Sequence, residues 1–174
     1  MGHCAGRPYF PGGRALTADI PVTVIGGYLG AGKTTMVNHL LRHAAGRRIA
    51  ILVNEFGDLP IDEDLIEAEG EDMIAISGGC ICCSFGSDLT AALIKLSELA
   101  PPPDHVVIEA SGVAMPGTVA LSISILPGFA LAGVVVLADG ERVQAQAEDD
   151  YIGDTILRQL SDADVIVHSK TDLQ

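Results

Sequence analysis

Short apolar runs rich in valine and isoleucine recur along this chain and are separated by more polar segments. Hydrophobicity that is continuous within a run, rather than alternating, is typical of parallel strands with both faces buried. The six runs comprise residues 21–25, 49–53, 73–76, 106–108, 133–138 and 165–168. Between several of them the pattern predicts helices over residues 33–45, 88–99, 118–126 and 151–160. The chain is therefore predicted to form an α/β domain, a three-layer αβα sandwich around a mostly parallel sheet.

Residues with reactive or ligand-binding side chains follow every one of these runs. In a doubly wound sheet the functional loops lie at the carboxyl ends of the strands. The segments that follow the six runs comprise residues 27–34, 54–58, 78–83, 109–112, 139–140 and 168–172. We therefore expect all of these segments to meet at one edge of the sheet.

The segment over residues 27–34 reads GYLGAGKT, a complete G-x-x-x-x-G-K-[ST] phosphate-binding loop between a predicted strand and a predicted helix. Its glycines let successive backbone N–H groups point at one phosphate, and the helix N-terminus adds its positive dipole end. We expect the Lys33 ammonium to meet the β- and γ-phosphates and the Thr34 hydroxyl to hold Mg²⁺. The predicted nucleotide contacts of this segment are Gly27, Gly30, Ala31, Gly32, Lys33, Thr34 and Thr35. The domain is thus predicted to be a Rossmann-like P-loop NTPase.

Glu109 and Gly112 occupy the segment after the fourth run, Glu-Ala-Ser-Gly. A carboxylate at this strand end can hold Mg²⁺ through a water molecule, since Mg²⁺ loses its waters reluctantly. The backbone N–H of Gly112 can sense the γ-phosphate. Alternatively, the two residues are an ordinary strand-end carboxylate and a turn glycine.

Ser169, Lys170 and Asp172 belong to a Ser-Lys-Thr-Asp segment that resembles the guanine-reading Asn-Lys-x-Asp of GTPases. The Asp172 carboxylate can accept hydrogen bonds from guanine N1–H and the exocyclic amino group, which adenine does not present. The Lys170 stem can lie along the base. Ser169 replaces the usual asparagine and weakens the preference for guanine. A solvated turn is the alternative.

Cys80, Cys82 and Cys83 form a C-x-C-C cluster that follows two glycines. Three thiolates can converge on a borderline ion such as Zn²⁺, with Co²⁺ tolerated by the same ligands. A water, Glu55 or a partner residue would fill the fourth position, and an open position suits metal transfer. A redox-active thiol cluster and inert buried cysteines are the alternatives.

Glu55 and Asp58 lie in the glycine-containing segment after the second run. Such a loop can respond to the γ-phosphate and touch the bound metal through Glu55, which would link the two sites. Asp58 and Glu109 are the candidates for orienting the attacking water, beside Lys33 and Thr34 in the catalytic set. A plain solvated loop is equally compatible with residues 54–58.

The chain of 174 residues carries a net charge of −13, from 10 basic and 23 acidic side chains. This excess of negative charge argues against nucleic acid and anionic membranes as partners. Residues 110–138 carry no charge and are long enough to cross a bilayer, but Pro-Gly pairs interrupt them at 116–117 and 127–128. A helix, a turn and a buried strand account for this segment better than a membrane span.

Cysteine usage and the N-terminal segment bear on compartment and domain organisation. Three of the four cysteines lie within four consecutive positions, which does not suit a disulfide framework. With a nucleotide site in the same chain, a reducing cytoplasm is expected. Residues 1–18 are rich in glycine and proline and lack the apolar region of a signal peptide, so we expect a flexible tail before a domain over 19–174.

Taken together and in this order, the segments resemble the CobW-like GTPases, a metallochaperone family related to the GTPases of urease and hydrogenase maturation. The matching stretches are GGYLGAGKTTMVNHLL, NEFGDLPID, GGCICCSFGSDL, VVIEASG and SKTDL. The resemblance implies a cytoplasmic GTPase that uses GTP and Mg²⁺. It also implies that the three cysteines carry Zn²⁺ or Co²⁺ to a client metalloprotein or a cobalamin-pathway protein, with a homodimer possible. Intrinsic hydrolysis is expected to be slow.

The end of the chain is a departure from that family, because family members continue with more of the nucleotide domain and a separate C-terminal domain. We therefore expect residues 19–174 to be a GTPase domain whose sheet is incomplete at its C-terminal side, with the further domain absent. Two other functions fit the residues: an ATP-dependent P-loop kinase or ATPase with redox cysteines, and a nucleotide-binding module without turnover.

Overall fold

The computed structural model describes residues 19–53 and 88–171 in full, together with the backbone of three strands between them. Residues 1–18, 54–65, 70–72, 77–79, 85–87 and 172–174 lie outside this description. The described strands are β1 (Ile20–Gly26), β2 (Ile49–Val53), β3 (Ile66–Glu69), β4 (Met73–Ile76), β5 (Cys80–Ser84), β6 (His105–Glu109), β7 (Phe129–Asp139) and β8 (Val165–Ser169). The described helices are α1 (Lys33–Arg42), α2 (Leu89–Ser97), α3 (Pro116–Ser124), α4 (Val143–Ala147) and α5 (Gly153–Ser161).

The described strands form one sheet in the order β3-β4-β5-β2-β6-β1-β7-β8. All pairs from β5 to β8 are parallel, whereas β3 and β4 extend the sheet with antiparallel pairing. The predicted α/β fold with a mostly parallel sheet is confirmed.

Helices cover both faces of this sheet, as continuous apolar strands require. Alternate residues of β2 show the arrangement. Ile51 and Val53 pack in one cluster with α1, while Ala50 and Leu52 pack in another with α2 and α3. The sheet is therefore the middle layer of three.

Two predictions about the cysteine region are wrong. The run Met73–Ile76 was expected to be a parallel strand, but it pairs antiparallel with both of its neighbours. Cys80, Cys82 and Cys83 were expected in a loop at the same edge as the phosphate loop, but they belong to β5, whose first residue, Cys80, lies at the opposite edge. The reason is chain length: only residues 77–79 separate β4 from β5, whereas a parallel crossover needs about a dozen residues.

Other differences concern the ends of elements. Helix α1 ends at Arg42 rather than at residue 45, and Ala45 and Gly46 have positive φ angles of 52° and 80°. Strand β7 begins at Phe129, four residues before the predicted start, and bulges opposite Val22 and Thr23 of β1. Neither the short polar helix α4 nor the strand β3, with its two glutamates, was predicted.

The uncharged stretch over residues 110–138 divides between α3 and β7, as the sequence predicted. Within the described ranges, every helix is too short or too polar to reach across a lipid bilayer.

His105 joins β6 to β1 near the amino ends of the strands. Its Nε2 atom is hydrogen-bonded to Thr23 Oγ1 at 2.9 Å. Partial burial, with a smaller contribution from the nearby Arg47 charge, lowers the pKa of His105 below 6.5. Because the unfolded chain then binds the proton more readily, His105 adds stability above pH 6.5 that is lost as the pH falls toward its folded pKa.

We expect the free energy of unfolding of a His105→Gln variant to fall less steeply than that of the parent between pH 7.5 and pH 5. Glutamine keeps a hydrogen-bonding group near Thr23 but does not titrate. Urea unfolding at several pH values measures the two slopes, and identical slopes would contradict the assigned role of His105.

Candidate functional site

The loop between β1 and α1 has the shape of a phosphate cradle because of its glycines. Gly27 has a φ angle of 130°, and a Cβ atom there would lie 2.5 Å from the Leu137 carbonyl oxygen of β7. Gly32 caps α1 in the left-handed conformation at φ 94° and carries no capping side chain. The first-turn N–H groups of α1 thus point into the loop without a side-chain acceptor from the cap residue.

Lys33, the first residue of α1, lies buried across this loop. Its Nζ donates to the carbonyl oxygens of Gly27 at 2.9 Å and Tyr28 at 3.3 Å. The loop is closed further by Ala31, whose N–H donates to the Tyr28 carbonyl at 3.1 Å. A buried ammonium beside a glycine-rich loop attracts an anion such as a phosphate.

The side chains of Thr34, in the first turn of α1, and Glu109, at the end of β6, are in contact. The Thr34 hydroxyl donates to Glu109 Oε1 at 3.2 Å, across 75 residues of sequence. Glu109 is buried at the end of β6. A hydroxyl and a carboxylate are the hard oxygen ligands that Mg²⁺ prefers, so these residues fit the cation. Thr35, one residue further along α1, is exposed.

Gly112 completes the wall of a cleft beside the phosphate loop. Leu29, Lys33, Val53 and residues 109–112 line this cleft. A Cβ atom at Gly112 would lie only 2.5 Å from Leu29 Cδ2 and 2.9 Å from Leu29 N. The segment after β6 therefore touches the phosphate loop, as expected from the topology.

The end of β8 is joined to the end of β7 by hydrogen bonds and a salt bridge. The Ser169 hydroxyl donates to the Ala138 carbonyl at 3.2 Å, and the Gly140 N–H donates to the Ser169 carbonyl at 2.9 Å. Lys170 adopts the left-handed conformation with φ 58° and forms a 2.7 Å salt bridge with Asp139. A Cβ atom at Gly32 would lie 3.9 Å from Ser169 Cβ, so this segment stands beside the phosphate loop.

Asp139 is the buried partner in that salt bridge, with 5% of its side chain exposed. The hydrogen bond from Lys170 is the main cause that lowers its pKa, and the Glu141 N–H adds a second hydrogen bond to the carboxylate. Asp139 is therefore negatively charged at neutral pH and holds Lys170 in place. The sequence offered one hint of this role, an acid that ends an otherwise uncharged strand.

Gln159 is a second residue that the sequence analysis missed. It lies on α5 with 1% of its surface exposed, and its Nε2 atom donates to the carbonyls of Gly112 and Ala114. Its position three residues after the buried Ile156 puts it on the inner face of α5. A polar residue on an otherwise apolar helix face was the available signal.

The cysteines predicted to bind metal lie on β5, for which the structure describes the backbone alone. Cys83 pairs with Leu52 and Ser84 with Val53 of β2, and Val53 pairs with Glu109 of β6. Since neighbouring strands lie about 4.8 Å apart, the backbones of Ser84 and Glu109 are separated by about 10 Å.

Three predicted site residues, Glu55, Asp58 and Asp172, lie outside the described residues. Where side chains are described, no cluster of three or more histidine, cysteine or acidic residues is arranged to hold a metal ion.

Comparison with known proteins agrees with this geometry. The family described as CobW/HypB/UreG, nucleotide-binding domain, matches residues 21–174. The zinc chaperone CobW of Sinorhizobium sp is 38% identical over 92% of this chain and 53% of its own length. The zinc-regulated GTPase metalloprotein activator 1 of Schizosaccharomyces pombe is 34% identical over 88% of this chain and 39% of its own length.

A relative of known structure supports the fold assignment. The crystal structure of the Zn(II)-bound YjiA GTPase from E. coli superimposes with a TM-score of 0.72 at 30% identity. The match covers 90% of this chain and 51% of that chain. The chain spans about half the length, or less, of the relatives it matches.

The Asp139–Lys170 salt bridge is expected to couple the two residues energetically. In a double-mutant cycle of Asp139→Asn, Lys170→Met and both together, we expect a coupling of about 1–2 kcal/mol at pH 7. The pKa of Asp139 is lowered, so the coupling should persist above the unfolded pKa of about 3.9 and vanish as the pH falls through the folded value.

Urea unfolding of the four proteins measures this coupling. Asp164→Asn serves as a matched control, because Asp164 Oδ2 accepts from the Val134 N–H at 2.7 Å beside the other end of the β7–β8 pairing. If Asp164→Asn coupled to Lys170→Met as strongly as Asp139→Asn does, the salt bridge would not be the source of the energy.

Proposed function

Because the chain belongs to the CobW/HypB/UreG nucleotide-binding domain family, we propose that it binds GTP with Mg²⁺, hydrolyses GTP slowly, and uses the nucleotide to control a thiolate-bound Zn²⁺ or Co²⁺. The observation that carries this proposal is the row of paired residues Ser84, Val53 and Glu109. That row links the end of the cysteine strand to the carboxylate that contacts Thr34.

The relatives support the choice of nucleotide and metal. One is named a zinc chaperone, another a zinc-regulated GTPase metalloprotein activator, and the solved neighbour is a Zn(II)-bound GTPase. By analogy, the partner that receives the metal is a client metalloprotein or a cobalamin-pathway protein. The proposal includes a cytoplasmic location and a homodimer as an accessible assembly.

The nucleotide site is assigned as follows. The phosphates contact Gly112 and the loop residues Gly27, Gly30, Ala31, Gly32, Lys33, Thr34 and Thr35, and the base contacts Ser169, Lys170 and Asp172. Thr34 and Glu109 hold Mg²⁺, which would neutralise charge on the β- and γ-phosphates. Residues 19–174 make up this GTPase domain, and residues 1–18 precede it as a tail.

Phosphoryl transfer would proceed mainly by positioning. Lys33 leaves the carbonyls of Gly27 and Tyr28 and pairs with phosphate oxygens instead, where its charge stabilises the transition state. Asp58 or Glu109 orients the attacking water. Without an arginine supplied by a partner, turnover on the order of 10⁻⁴–10⁻² s⁻¹ is expected.

The metal site is assigned to Cys80, Cys82 and Cys83, with Glu55 as the fourth ligand. Thiolates suit Zn²⁺ and tolerate Co²⁺, and availability decides between the two ions. Across the paired strands β5, β2 and β6, the backbone of Ser84, the residue after Cys83, is about 10 Å from that of Glu109.

Separate variants should remove the two ligands independently. Lys33→Ala is expected to lower GTP affinity roughly tenfold to a hundredfold, the loss of charge-assisted hydrogen bonds, and to leave zinc content unchanged. The triple Cys80→Ser, Cys82→Ser, Cys83→Ser variant is expected to lose zinc and retain nucleotide. Metal analysis of anaerobically purified protein and titration with a fluorescent GTP analogue provide the readouts. Equal zinc content in the triple variant would exclude a cysteine site.

Competition between nucleotides tests the base preference. GTP is expected to displace a labelled GTP analogue at a concentration at least tenfold lower than ATP. Adenine lacks the N1–H and the 2-amino group that would donate hydrogen bonds to the Asp172 carboxylate. Equal displacement by the two would favour an ATPase or kinase and would remove the role given to Asp172. Binding without phosphate release would identify a nucleotide-binding module.

A further inference from the structure

Gln159 is a buried polar side chain that neither packing nor the proposed chemistry requires. Its side chain is within the core-facing surface of α5, with 1% of the residue exposed. An apolar residue of similar length would avoid the cost of removing an amide from water. The amide is instead kept by two hydrogen bonds, to the carbonyl oxygens of Gly112 at 3.0 Å and Ala114 at 2.8 Å.

The turn that Gln159 holds is the one that faces the cleft. It begins after Glu109 and is closed by the Ala114 N–H, which donates to the Ser111 carbonyl at 2.9 Å. On its other side Gly112 approaches Leu29 of the phosphate loop so closely that a Cβ atom would overlap it. Gly112 is therefore fixed between the phosphate loop and the amide of Gln159.

Gln159 also lies at a junction of three functional segments. It lines a small pocket together with Tyr28 and Ala31 of the phosphate loop and with Asp139, the partner of Lys170. The helix that carries it, α5, leads directly into β8 and the base-side segment. Movement of the Gly112 turn would therefore strain or shift α5 through the hydrogen bonds of Gln159.

We propose that Gln159 is a positioning residue for recognition of the terminal phosphate: its amide holds the Gly112 backbone against the cleft beside Lys33, where the γ-phosphate would bind. This inference rests on the proposed function, because it requires a nucleoside triphosphate in that cleft. A diphosphate lacks the γ-phosphate that Gly112 would contact, so Gln159 should matter for GTP and not for GDP.

Titration of the full chain with GDP and with a non-hydrolysable GTP analogue, both with Mg²⁺, tests this. The Gln159→Met variant keeps the side-chain length and removes both N–H donors. Its affinity for the analogue is expected to fall roughly tenfold, because the displaced Gly112 N–H would lose one charge-assisted hydrogen bond to the γ-phosphate. Affinity for GDP should change less than threefold. Gln144→Met is the matched control, because Gln144 is an exposed glutamine on α4 that donates to Glu148.

The outcomes separate the inference from the function on which it rests. Equal losses for GDP and the analogue in Gln159→Met would mean that Gln159 has only a structural role, and the inference would fall. Failure of the parent chain to bind either nucleotide would instead refute the proposed function.

A second measurement needs no variant. In hydrogen-exchange measurements on the parent chain, we expect the GTP analogue to protect the backbone amides of residues 111–115 and of α5 together. GDP should protect neither segment. Protection of the turn without protection of α5 would overturn the role of Gln159 even if the Met variant failed to fold.

Discussion

The parallel pairing of β1 with β6 on one side and β7 on the other is the constraint on which the rest of this structure depends. Val22 and Val24 are completely buried in this central strand, and Ile25 pairs with Glu109 across the ladder to β6. Because parallel strands end at the same edge, the phosphate loop has to emerge between the segment after β6 and the end of β7. The close approach of Gly27 to the Leu137 carbonyl is a direct consequence.

That edge concentrates buried charge in a chain whose net charge is −13. Lys33, Glu109 and Asp139 are all buried there, although removal of an ion from water costs several kcal/mol. The structure offsets this cost with specific partners: backbone carbonyls for Lys33, the Thr34 hydroxyl for Glu109 and the Lys170 ammonium for Asp139. These partners hold the buried charges at the edge of the sheet, so Lys33 has only to exchange its carbonyl partners for phosphate oxygens when an anion binds.

The same sheet gives a physical basis for linking nucleotide and metal. The end of β5 is level with the ends of β2 and β6, and hydrogen-bonded strands keep that spacing fixed. Changes in ligand state are therefore expected in the segments at the edge rather than within the strands. The Gly112 turn, in contact with Leu29 and with Gln159, is the described segment best connected to respond.

Local patterns in the sequence determined the fold class, the phosphate loop and most strands and helices, because hydrophobic periodicity and glycine spacing act over a few neighbouring residues. Strands β3 and β5 were not predicted, since Ile-Glu-Ala-Glu and Cys-Ile-Cys-Cys-Ser lack the valine- and isoleucine-rich pattern of the other strands, and only pairing with the neighbouring strands defines them. The contacts of Asp139 with Lys170 and of Gln159 with Gly112 join residues 31 and 47 positions apart. Only the tertiary structure could decide such contacts, because they depend on which strands become neighbours and on the level at which they are aligned.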